Sequence, residues 1–72
     1  MNRQIKLLDV VALTEDLAGR KLRRGQVGTV VQVVTPGVFE VEFTDNDGGA
    51  FASLALTSTQ LMIPYYQRLK AA

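Results

Sequence analysis

The 72-residue chain carries a formal charge of +1 and is 47% hydrophobic. That balance excludes wholesale disorder and gives little net pull toward nucleic acid or an anionic membrane surface. It contains no cysteine and no histidine, which excludes a disulfide framework, a thiolate nucleophile or zinc ligand, and an imidazole base.

One domain is expected at this length, and such a chain buries only about 60–65% of its unfolded surface. A tight barrel or self-association has to supply the stability that disulfides or metals give other small scaffolds. No apolar run approaches the roughly 18 residues of a membrane span. The N-terminal MNRQIKLLDVV has neither the apolar core nor the small-residue cleavage site of a secretory leader, so the cytoplasm is the expected compartment.

Along the chain, Leu7 to Leu13 (LLDVVAL) predicts a first strand. Asp9 interrupts it, and a carboxylate there calls for an outward position or a hydrogen bond from a loop amide. The polar stretch Thr14 to Gly19 leads into a basic segment with Arg20, Lys21, Arg23 and Arg24. Gly25-Gln26-Val27-Gly28 then punctuates the start of a strand over Thr29 to Val34, TVVQVV. Strict alternation would put Thr29, Val31 and Val33 on one face and Val30, Gln32 and Val34 on the other. Both faces are then largely apolar, as in a strand buried in a barrel or covered by a second subunit.

Thr35-Pro36-Gly37 reads as a turn, and Val38 to Phe43 as its antiparallel partner strand. There Phe39, Val41 and Phe43 alternate with Val38, Glu40 and Glu42, which leaves the carboxylates in water. Asp45-Asn46-Asp47-Gly48-Gly49 is a second turn; it lacks the third acidic position and distant glutamate of a calcium loop. Ala50 to Leu56 is the next strand. Thr57 and Gln60 have the spacing of a capping box and predict a single helical or 3-10 turn. Leu61-Met62-Ile63 closes the sheet, and Pro64 stops that strand or places it at an edge. The tail Tyr65 to Ala72 forms a short helix or frays.

Five short strands, tight turns and a helical turn before the last strand predict an all-β fold. The expected architecture is a small five-stranded SH3-like barrel, one domain over residues 1–72 with its core at about 5–63 and a tail at 65–72.

The string Arg24-Gly25-Gln26-Val27-Gly28-Thr29-Val30 resembles the KOW element of SH3-like barrels in ribosomal and transcription proteins. Glycine there serves a tight turn and a close backbone approach. The resemblance implies phosphate contacts from Arg20, Lys21, Arg23 and Arg24. Against this stand the low net charge and the lack of an aromatic residue among these cations to stack a base.

Catalysis is not expected, and no catalytic, cofactor-binding or metal-binding residues are assigned. Glu15 and Asp16 are adjacent, and adjacent side chains seldom converge on one substrate. Ser53 and Ser58 lack the sequence context of an activated nucleophile. Tyr65 and Tyr66, with Met62, Ile63 and Leu69 nearby, form an apolar cluster that either seals one end of the barrel or contacts a protein, with Met62, Tyr65, Tyr66 and Leu69 the expected interface residues.

The stretches LLDVVALTEDL, RRGQVGTVVQVV, FEVEFTDNDGGAFASLAL and TQLM together resemble a family of short bacterial proteins, the domain-of-unknown-function family four-nine-two-six. The resemblance implies a stand-alone SH3-like barrel, often encoded beside another small protein in a toxin–antitoxin-like or immunity arrangement. It brings no catalytic residues. The leading expectation is therefore a non-catalytic interaction module that binds a cognate protein or itself, without cofactor, metal or membrane. Nucleic-acid binding through the basic loop, or service as an accessory subunit of a larger enzyme, are the alternatives.

Overall fold

A computed structural model describes residues 4–44 and 50–64. Among the described residues the chain forms β1 (Val10–Leu13), β2 (Val27–Thr35), β3 (Val38–Thr44), β4 (Ala50–Thr57) and β5 (Leu61–Met62). They make one antiparallel sheet in the order β4-β3-β2-β1-β5, so β4 and β5 are its edges. The all-β expectation is met, and a 3-10 turn over Ser58–Gln60 precedes the last strand as predicted. No helix among the described residues is long and apolar enough to cross a membrane.

β3 is the organising strand. Its buried Phe39, Val41 and Phe43 alternate with the half-buried Glu40 and Glu42. Cross-strand partners share a face, so the core rows follow from the register: Gly28–Phe43–Ala52, Val30–Val41–Leu54 and Val33–Phe39–Leu56. β1 adds the fully buried Val11 and Leu13.

β2 departs from the alternation. Its register with β3 shifts between Val30 and Gln32 and again between Val33 and Thr35. Each bulge inserts one extra residue, Val31 and then Val34, and reverses the facing of the strand residues beyond it. Val33 therefore shares the core-side face with Val30 instead of opposing it, while Val31 and Val34 are 41% and 51% exposed. Among the described residues the expected burial of both faces does not occur.

β1 is also shorter than LLDVVAL suggests. The Lys6 N–H donates to Asp9 Oδ2 at 2.8 Å, and the Asp9 N–H donates to Lys6 O at 3.0 Å. This pair of bonds folds the segment into a turn, with Leu8 at φ +72° and both Leu7 and Leu8 exposed. Asp9 thus meets a loop amide, one of the two arrangements its sequence position calls for. The Asp45–Gly49 turn lies outside the described residues.

Candidate functional site

Two surface features bring the sequence-derived candidates together or separate them. One is the basic loop between β1 and β2. Leu17 and Leu22 form an isolated antiparallel bridge across its neck, and a 3-10 turn over Ala18–Arg20 caps it. Leu22, a lone apolar residue in the run KLRR, is 1% exposed and joins the core. The Arg24 N–H donates to Asp16 Oδ1 at 2.8 Å, and the Gly25 N–H donates to Leu13 O at 2.8 Å. The loop is thereby tied down while Arg20, Lys21, Arg23 and Arg24 all remain exposed.

These cations do not converge on one site. Lys21 and Arg23 line a hollow of about 470 Å³ with Asp16, Ala18 and Leu22; Arg20 and Arg24 are not part of its lining. The carboxylate of Asp16 offsets part of the positive field there, and among the described residues no aromatic side chain lines the hollow.

The second feature is a groove of about 650 Å³ where the β2–β3 hairpin diverges from β5. The strand pairing of β1 ends at Val10–Thr29. Two backbone bonds, Leu8 N–H to Val30 O at 2.7 Å and Val30 N–H to Asp9 O at 2.9 Å, hold the preceding segment one residue further. Beyond Val30 the hairpin has no strand on that side among the described residues. Ile5, Val33, Phe39, Leu61, Met62 and Ile63 supply its apolar lining, with Ser58 and Thr59 among its polar groups. No charged side chain among the described residues lines it.

The 3-10 turn holds one wall of this groove. Gln60 Oε1 accepts the Thr57 N–H at 3.0 Å, the reach-back half of the capping box. Gln60 Nε2 donates to Glu15 Oε2 at 3.1 Å, and Thr14 Oγ1 donates to Thr59 O at 2.9 Å. Glu15 and Asp16 consequently serve different partners and share no focus.

Ser53 Oγ donates to Glu40 Oε2 at 2.7 Å on the exposed outer face of the sheet. Of the apolar cluster residues, Met62, 48% exposed, and Ile63 line the groove; Tyr65, Tyr66 and Leu69 lie outside the described residues. Sequence reasoning missed Val33 and Ile5 as groove residues. The bulges that aim Val33 leave no periodic signal in TVVQVV, whereas the isolated leucine in KLRR was a readable sign of an anchored loop.

Strands, anchored loop and groove together define a small all-β domain. The family model described as "Domain of unknown function (DUF4926)" matches residues 7–63, and the chain belongs to that family. Neither the curated proteins nor the solved structures give a significant match.

Proposed function

We propose that this chain is a cytoplasmic, non-catalytic protein-interaction module that seats an uncharged, apolar segment of a partner protein in the groove beside β5. The observation that carries this is the groove lining: Val33 and Met62 are 45% and 48% exposed within a wall that holds no charge among the described residues. Exposed apolar side chains gathered in a concave surface gain free energy when a complementary surface covers them. A protein encoded beside this one, as in a toxin–antitoxin-like or immunity pair, fits the role.

Peptides selected from a random display library by the wild-type chain are expected to be uncharged and apolar. Their affinity should fall roughly tenfold or more in Val33→Asp and Met62→Asp variants, as for buried anchors elsewhere. Quadruple replacement of Arg20, Lys21, Arg23 and Arg24 by Ala should leave it unchanged. Selection of acidic peptides, or binding indifferent to Val33→Asp and Met62→Asp, overturns the proposal.

A nucleic-acid function has one observation in its favour, the exposure of all four cations on one anchored loop. It requires RNA or DNA binding that weakens steeply with salt and disappears in the quadruple Ala variant.

A further inference from the structure

The two edges of the sheet are protected very differently. β5 has only two residues, and Pro64 comes soon after it. Short length and a nearby proline are common devices against unwanted strand pairing. β4 has eight residues, AFASLALT, with no charge, proline or glycine; its register with β3 shifts once near its start, between Ala50 and Ala52, and residues 52–57 pair without interruption. Among the described residues it pairs only with β3. Alternate residues of such a strand turn their N–H and C=O groups away from the sheet, toward whatever can bond them.

We infer that β4 pairs antiparallel with β4 of a second copy of this chain, around a two-fold axis at Leu54, so that the two sheets become one. The strand is self-complementary in that register. On the core side Leu54 meets Leu54 of the second copy, and Ala52 meets Leu56; on the outer side Ser53 meets Ala55. Val30–Val41–Leu54, the central core row, continues into its own mirror order across the axis.

Charge does not oppose the join. Among the described residues the nearest acidic rows are Glu40 and Glu42 on β3, and Ser53 Oγ already bonds one of these carboxylates. Across the pair a Glu42 and a Glu40 of the second copy are separated by three strand spacings, about 14 Å. That exceeds the Debye length of about 8 Å at physiological salt. The sequence supplies the incentive, because a chain of this length without disulfides has a small core to rely on.

The groove is not lined by β4 residues, so the two proposals stand or fall separately. Sedimentation equilibrium from about 1 µM to 1 mM, the range of weak pairs, should show the mass doubling. Ser53→Lys combined with Ala55→Lys places like charges opposite one another across the axis in two symmetric pairs. Within one chain the same lysines face Glu42 and Glu40, their partners on β3, so the protomer keeps its fold.

The double-lysine variant is expected to stay monomeric with an unchanged circular dichroism spectrum, while Ser53→Glu with Ala55→Lys recovers the dimer. Recovery reports the register as well as the surface. A wild-type chain that stays monomeric throughout, or a dimer indifferent to the double-lysine change, overturns the inference. So does hydrogen-exchange protection of the outward-facing β4 amides, those not bonded to β3, that does not vary with protein concentration, since the edge would then be covered from within the chain. Peptide selection through the groove should proceed in the double-lysine variant as in the wild type.

Discussion

The two glycines of the G-x-x-G string are fixed by different physics. A Cβ at Gly28 would lie 2.8 Å from Val41 Cγ1, 2.9 Å from Glu42 O and 2.9 Å from Phe43 Cδ1. One of these neighbours is backbone within the β2–β3 ladder and cannot swing away. Gly25 has nothing within 4 Å, but its φ of +88° disfavours any side chain. Gly28→Ala is therefore expected to cost about 2–3 kcal/mol as overpacking, and Gly25→Ala about 1 kcal/mol as backbone strain. Urea midpoints of the two variants check the order; equal midpoints would contradict the assignment. The sequence made both glycines visible as turn and approach residues, but only the register of β2 against β3 separates their roles.

At the scale of elements, legibility tracked the regularity of the backbone. β3 was readable because Phe39, Val41 and Phe43 alternate with two carboxylates and the ladder leaves that order intact. The Thr57–Gln60 spacing was readable because a capping box is local chemistry. β2 was not, since two bulges reverse its parity and any order of valines would have looked equally apolar. The beginning of β1 was obscured by leucines that a turn holds in solvent, although Asp9 was the visible sign of that turn.

The β1–β2 loop shows the same division. Its cations were plain, while its structure depends on Leu22, which is 1% exposed. Leu22→Ala is expected to remove about 2–4 kcal/mol as a cavity in the core. Local loosening should accompany it, read as faster proteolysis at the Arg and Lys residues than global unfolding permits. Cleavage that merely tracks global stability would show that Leu22 does not anchor the loop.

At the scale of the whole molecule, the described core draws on few large side chains, with Phe43, Leu13 and Leu22 the largest that are fully buried. An isolated chain of this kind should unfold in one cooperative step with a free energy of about 3–5 kcal/mol. Pairing through β4 adds to it by mass action, so the thermal midpoint should rise with protein concentration. Circular dichroism melts at low and high concentration test this, and the double-lysine variant should show a midpoint independent of concentration. A concentration-independent wild-type midpoint would count against the paired state. The groove was not legible in sequence, because it is lined by residues from distant segments, Ile5, the β2–β3 hairpin and residues 58–63.

The meeting of Ala12 with Met62 and of Leu13 with Leu61 also sets an order in time. β2, β3 and β4 are successive in sequence and can pair as local hairpins early in folding. β1 precedes them in sequence, yet one side of it stays unpaired until the distant β5 is brought back beside it. Val11 and Leu13 are therefore partly uncovered until that late, long-range closure, and the same two-residue strand that forms an edge of the finished sheet is the last piece to close it.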